Sequence, residues 1–196
     1  MSLRNALLAL LSSSPMTGYD VAKRFASSVG FLWHAPNSQI YPELRKLERE
    51  GLLESREIPW GANGVTKTEY TVSADGLAAL TQWQQEPMPH TPDRDPARLK
   101  AAYFEMGSPE AAEQNLQEHI SHFENQRSQA LDEINRIDTG ISPNLTRRLQ
   151  NLPAEKHAAT IAFKRFAYEG RVAQAETEIN WAEQGLTLIR KIYGNH

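Results

Sequence analysis

Apolar residues recur along most of this chain at helical spacing, with one stretch of extended pattern. Leu3, Leu7 and Leu10 share one face of a first helix, which Ser14-Pro15-Met16 breaks. Thr17, three residues before Asp20, resembles a capping box with Asp in the usual place of Glu. Val21, Phe25 and Val29 then form the stripe of a second helix. Asn37 or Ser38 is placed to cap a third helix whose Ile40, Leu44 and Leu47 face inward, and Gly51 stands where a helix C-terminal glycine belongs. Residues 52–58 and 68–72 read as extended, and the Gly/Asn-rich turn Pro59-Trp60-Gly61-Ala62-Asn63-Gly64 between them predicts a β-hairpin. Ser73 is set to cap a fourth helix carrying Leu77, Leu80 and Trp83.

Four prolines between residues 87 and 96 cannot continue a helix, so a linker is expected there. It divides the chain into residues 1–86, the linker 87–96, and residues 97–196. The last part is helical by pattern. Leu116, Ile120, Phe123, Arg127, Ala130, Ile134 and Ile137 follow alternating steps of four and three. So do Ile161, Arg165, Tyr168, Val172, Ala175, Ile179, Ala182, Leu186, Ile189 and Tyr193. Such spacing marks coiled-coil seams on helices over 110–137 and 154–193, separated by a Pro/Gly-bearing stretch. If these fold back antiparallel with Ile137 near His157, Arg127 falls opposite about residue 167, within about one turn of Arg165. Glu124 and Glu169 are the nearest acids. The plain expectation is that the arginines reach the surface or pair with those acids. The sharper one is a polar layer that fixes register and accepts an anionic effector.

Composition narrows the chemistry. The 196 residues hold 21 Lys+Arg and 24 Asp+Glu, so no basic excess points to nucleic acid, and such a reading must rest on local charge. Residues 1–86 carry 8 basic and 9 acidic side chains, which is also not a basic balance. The absence of cysteine excludes disulfides, thiolate catalysis and cysteine-ligated metals. No stretch approaches the apolar length of a membrane span, and the short run 6–11 lacks a following cleavage site, so a cytoplasmic location and no membrane partner are expected.

Three helices followed by a hairpin is the order of a winged helix-turn-helix, in which the third helix enters the major groove. With Arg45 at zero on a helical wheel, Ser38, Tyr41, Pro42 and Arg49 fall within about 60° of it, and Lys46 lies on the shoulder. Glu43 and Glu50 fall away, and the apolar residues occupy the far side. Arg45 or Arg49 can read a guanine edge or clamp phosphate. By spacing alone, an amphipathic surface helix fits equally.

Thr17-Gly-Tyr-Asp-Val-Ala22, Ser38-Gln-Ile-Tyr-Pro-Glu-Leu-Arg-Lys-Leu-Glu-Arg-Glu-Gly-Leu-Leu53 and Lys67-Thr-Glu-Tyr-Thr-Val-Ser-Ala-Asp-Gly-Leu77 resemble the PadR family of transcriptional regulators. The resemblance covers residues 3–86. The helical half after the proline linker is similar to the longer subgroup with a virulence-activator type of C-terminal domain.

The resemblance implies a mainly α protein with an N-terminal winged helix-turn-helix and a coiled-coil-like C-terminal domain. It implies a homodimeric, sequence-specific regulator of double-stranded operator DNA, expected to repress, with a small-molecule effector and no cofactor. The residues expected at DNA are Thr17, Tyr19, Lys23, Asn37, Ser38, Gln39, Tyr41, Pro42, Arg45, Lys46, Arg49 and Lys67. Those expected at the dimer contact are Leu3, Leu7, Val172, Ile179, Leu186 and Ile189.

Each carries a plainer alternative. Tyr41 meets a phosphate or base, or sits half-buried between helix three and the wing; Pro42 shapes its helix. Lys23, rather than Arg24, faces phosphate, or both are solvated. The turn has no arginine at its tip, which leaves Lys67 and main-chain amides to the wing. The competing class is a winged-helix and coiled-coil protein-interaction module that binds no DNA, favoured by a pI near 6.1.

His119 and His122, three apart, are expected on a solvated helix face, since no third metal ligand is fixed by spacing. No nucleophile elbow, phosphate loop or dinucleotide fingerprint occurs, so no enzyme is expected. The aromatic residues Tyr103, Phe104, Phe123, Phe163, Phe166, Tyr168, Trp181 and Tyr193 form helix–helix core or line an effector pocket, with Phe163 and Phe166 expected against another helix of the same chain.

Overall fold

The computed structural model describes residues 3–27, 35–60, 65–88 and 94–194. Val29, the turn 61–64 and linker residues 89–93 lie outside the described residues. The elements run α1 (Leu3–Leu11), β1 (Met16–Thr17), α2 (Gly18–Ser27), α3 (Asn37–Arg49), β2 (Leu53–Trp60), β3 (Val65–Val72), α4 (Ala74–Gln85), α5 (Pro96–Ala101), α6 (Pro109–Asp138), α7 (Pro143–Gln150) and α8 (His157–Tyr193), with short 3-10 turns at Phe104–Met106 and Ala154–Lys156. They form two compact units, Met1–His90 with Pro143–His157, and Thr91–Ser142 with Ala158–His196.

In the first unit the stripes of α1, α2 and α3 meet in one core. Leu7, Leu8, Val21, Phe25, Ile40, Leu44 and Leu47 are almost wholly buried and pack with Met16, Leu53 and Tyr70 of the sheet. Burial of each large apolar side chain is worth roughly 1.5–3 kcal/mol, so this cluster fixes the helix–helix angles. The sheet order is β1-β3-β2. Two residues of β1 pair with β3 at Met16↔Tyr70 and Thr17↔Glu69. The hairpin runs from Leu53↔Val72 to Trp60↔Val65, so both strands are longer than their sequence pattern predicts. Pro59 does not end β2 because β2 is an edge strand, where a missing N–H breaks no ladder.

The caps explain where the elements stop. The Thr17 hydroxyl accepts from the Asp20 amide at 3.2 Å, but the Asp20 carboxylate accepts from that same hydroxyl at 2.7 Å rather than closing a box on the backbone. α3 departs from expectation. Its N-cap is Pro36, in extended backbone with no side-chain bond; Asn37 and Ser38 are already helical. Gly51, at φ 76°, ends the helix: its amide bonds to Glu48 O at 2.9 Å and that of Leu52 to Leu47 O at 2.9 Å. Ser73 caps α4 as predicted, accepting from Gly76 N at 3.0 Å and donating to Gly51 O at 2.7 Å.

In the second unit α6 and α8 run antiparallel. His119 faces Glu178 at 3.0 Å, Gln126 accepts from Arg171 at 2.6 Å, and Arg165 donates to Asp138 at 3.0 Å. The seam positions are buried or half-buried along both helices, except Tyr193. The register differs from the one expected. Gln126 faces Arg171, so neighbouring Arg127 is level with about residue 170 and lies about 7.5 Å along the axis from the level of Arg165. The two arginines form no shared layer. Arg165 instead pairs with Asp138 and Glu169, which hold its guanidinium pKa above the ordinary value. α7 and a 3-10 turn occupy the chain between the long helices.

The buried polar group of this unit is one the seam pattern does not mark. Glu133 is 3% exposed and accepts from Ser142 at 2.7 Å and Arg136 at 3.2 Å. Burial, then the Glu133 charge, push the pKa of the buried Tyr168 phenol up. Phe163 and Phe166 do not pack on another helix of the same chain; they are 74% and 71% exposed.

Candidate nucleic-acid interface

The apolar side of α3 is consumed by the core, which leaves the opposite side outward. Asn37, Ser38, Gln39, Tyr41, Pro42, Arg45, Lys46 and Arg49 are all exposed. The helix places Arg45 and Arg49 one turn apart on that side. Glu48, outside the charge reading above, stands at the edge: Pro42, Arg45, Glu48 and Arg49 line one open groove. Its carboxylate accepts from the Ser55 hydroxyl of β2, which ties the acid to the wing. Burial, then Glu48, raise the pKa of the Tyr70 phenol beneath, and Arg45 opposes them.

Tyr41 takes neither extreme. Its ring packs on Gly18, where an added Cβ would stand 3.0 Å from Tyr41 Cε1 and 3.8 Å from Tyr70 Cε2. It remains 38% exposed. The close approach of α3 to the start of α2 thus rests on a glycine opening α2 and a tyrosine lying on it.

The candidates on α2 divide. Thr17 is buried with its hydroxyl committed to Asp20, so it holds the helix start rather than the surface. Tyr19 and Lys23 are exposed. Arg24 turns inward, its Nη1 3.5 Å from Met16 Sδ. On the wing, Lys67 Nζ stands 2.8 Å from the centroid of the Trp60 ring and 5.5 Å from that of Tyr19. Sequence reading placed Trp60 in the turn and gave it no role. Its only signal is the strand alternation, which sets residues 58 and 60 on the face that Lys67 shares.

The dimer candidates lie mostly inside. Leu7 is wholly buried and Leu3 packs against the same core. Ile179, Leu186 and Ile189 are buried and Val172 is half-buried within this chain. The outward large apolar side chains of α8 are Phe163, Phe166, Leu188, Ile192 and Tyr193.

His122 fits a solvated face; His119 does not. Its ring is half-buried, between Phe123 at 4.7 Å and Trp181 at 5.2 Å, and meets Glu178, which also takes Arg98 at 3.1 Å. Among the described residues no group of three or more His, Asp or Glu is arranged for a metal. Among them, too, no helix is long and apolar enough to cross a membrane. Of the aromatic residues, Tyr168 is buried, Phe104, Phe123 and Trp181 are half-buried, and Tyr103 and Tyr193 are exposed.

Three helices with an exposed basic third helix, closed by a hairpin, define a winged helix-turn-helix. Residues 7–82 match the Transcriptional regulator PadR-like family. The Negative transcriptional regulator PadR of Bacillus subtilis is 38% identical over 104 residues, 52% of this chain and 56% of that protein. The chain spans about half the length of the curated relatives it matches. These relatives are transcriptional regulators rather than enzymes.

The fold is shared with the crystal structure of Bacillus subtilis PadR in complex with operator DNA, at TM-score 0.70 and 24% identity over 95% of this chain and 98% of that one. It is shared with the Vibrio cholerae virulence activator AphA at TM-score 0.68 and 24% identity, over 97% and 99%. A second Bacillus subtilis PadR structure, in complex with p-coumaric acid, matches at TM-score 0.65 and 24% identity over 95% and 94%.

Proposed function

We propose that this chain is a DNA-binding transcriptional regulator that inserts α3 into the major groove and rests its hairpin on the backbone. The observation that carries the reading is the outward side of α3, where Arg45, Lys46 and Arg49 are exposed opposite the buried Ile40, Leu44 and Leu47. Ser38, Gln39 and Asn37 lie in its first turn, the part of a recognition helix that reaches base edges. Tyr19, Lys23 and Lys67 flank it as backbone contacts. An acidic chain overall is compatible with this, because only the local stripe meets phosphate.

The division of labour follows the sequence: residues 1–86 bind DNA, 87–96 link, and 97–196 supply the dimer contact. One winged helix covers one half-site, so a homodimer gives the two heads an operator needs. Exposed Phe163 and Phe166, one turn apart, support a contact made outside the intrachain seam. The 38%-identical relative is described as a negative regulator, which supports repression. The p-coumaric acid complex of a structural neighbour supports control by a small aromatic acid. Such a role places the protein in the cytoplasm with the DNA.

A salt titration on mixed-sequence duplex DNA tests the central claim. Affinity should fall steeply as salt rises, because each phosphate contact releases counterions. Weak binding that is indifferent to salt would favour the protein-interaction module instead.

A further inference from the structure

We propose that Trp60 and Tyr19 are positioning residues whose rings hold the Lys67 ammonium ready for a DNA phosphate. The proposal rests on the DNA-binding reading above; it adds Trp60 and gives Tyr19, already placed at the backbone, a task that acts through Lys67.

The hairpin register creates the arrangement. Lys67 pairs with Ile58, and Trp60 with Val65. Side chains two apart on a strand share a face, so Trp60 is the diagonal neighbour of Lys67. The ammonium lies 2.8 Å from the Trp60 centroid and 5.5 Å from the Tyr19 centroid, both inside the range of about 6 Å over which a ring face attracts a cation. Tyr19 belongs to the first turn of α2, so the lysine joins the wing to the helix-turn-helix. Both rings are more than half exposed, at 56% and 60%, and so add little to the core.

The same hairpin treats its two cations differently. Arg56 is paired with the Glu69 carboxylate at 2.6 Å, which partly offsets its charge. Lys67 is held by neutral rings, which orient the ammonium and leave its full charge for an anion. A lysine stem has much rotamer freedom to lose when it is fixed on a partner. Fixing it beforehand removes that cost from the binding step.

The test is a double-mutant cycle in the full chain on mixed-sequence duplex DNA: Trp60→Ala, Trp60→Phe, Lys67→Ala, and Trp60→Ala with Lys67→Ala, each across a salt series. Lys67→Ala should reduce the salt slope by about 1. Trp60→Ala should weaken binding about two- to fivefold with the slope unchanged, and Trp60→Phe should restore most of it. With Lys67 already replaced, removing Trp60 should cost nothing further. In the free protein, the Lys67 ε-methylene protons should show a ring-current upfield shift that Trp60→Ala abolishes. An equal cost of Trp60→Ala in both backgrounds overturns the proposal, since the ring would then touch DNA itself. So does the absence of the upfield shift. A wild-type chain that shows the shift but binds no duplex overturns the DNA reading, and the positioning role with it.

Discussion

Gly76→Ala tests how the wing is tied to the helix that follows it. Gly76 sits in the first turn of α4, where its amide is held by the Ser73 hydroxyl. A Cβ there would lie 2.2 Å from the Leu52 carbonyl oxygen and 2.8 Å from Val72 Cγ1. The Leu52 carbonyl cannot simply turn aside, because it accepts from Ser73 N at 3.1 Å. In an unconstrained helix the substitution would be stabilising by up to about 1 kcal/mol. Overpacking costs typically about 1–3 kcal/mol, with backbone the least yielding neighbour. With the cost at its upper end, since the neighbour is backbone, the balance is a net loss of roughly 1–2 kcal/mol, local to the first unit. Two compact units need not unfold in one transition, so the assay must resolve them. Amide hydrogen exchange does so. Protected amides of α4 and the hairpin should exchange about 5- to 30-fold faster, while those of α6 and α8 keep their rates. Unchanged or slower exchange in α4 would refute the close-approach argument.

Gly170→Ala should do the opposite, because its Cβ meets nothing within 4 Å: a gain of about 0.5–1 kcal/mol, read as slower exchange along α8. Arg45→Ala and Arg49→Ala should each weaken operator binding by about 1–3 kcal/mol if they read bases, with the melting temperature kept; unchanged affinity in both would remove α3 from the recognition role. Replacing Phe163 and Phe166 together by serine should shift sedimentation from dimer toward monomer and leave helicity unchanged. A dimer that survives at the same concentration would place the interface on other residues.

Much of the first unit was legible because its signals are local. The tyrosine, serine and glycine of the Tyr70-x-x-Ser73-x-x-Gly76 run each have a physical task within a few residues: a buried ring, a cap and a close approach. Gly51 declares itself in the same way through its positive φ. β1 was not legible, since two residues have no period and its partner strand lies more than fifty positions away. The cap of α3 was misplaced by one or two residues because Pro36, Asn37 and Ser38 all suit a helix start, and only backbone geometry separates them. Lys67 was visible as a lone wing cation. The rings that hold it were not, since Tyr19 comes from another element.

The second unit shows a different limit. A heptad pattern states which face of a helix is covered, and it is unchanged by sliding one helix past the other by seven residues. The faces of α6 and α8 were therefore readable, and their relative offset was not. Offset is set by particular contacts off the apolar seam, such as Gln126 with Arg171 and His119 with Glu178, which a heptad pattern does not register. The meeting of Arg127 with Arg165 rested on that offset. With the pairing moved, Asp138 comes to Arg165 and the charge is answered at the helix end. The acid that is truly enclosed, Glu133, looks in sequence like half of an ordinary i,i+3 surface pair with Arg136. Its burial arises because the chain reverses after α6 and returns Ser142 onto it. Where a polar group is closed over by a turn, periodicity carries no sign of it, and only the tertiary structure reveals it.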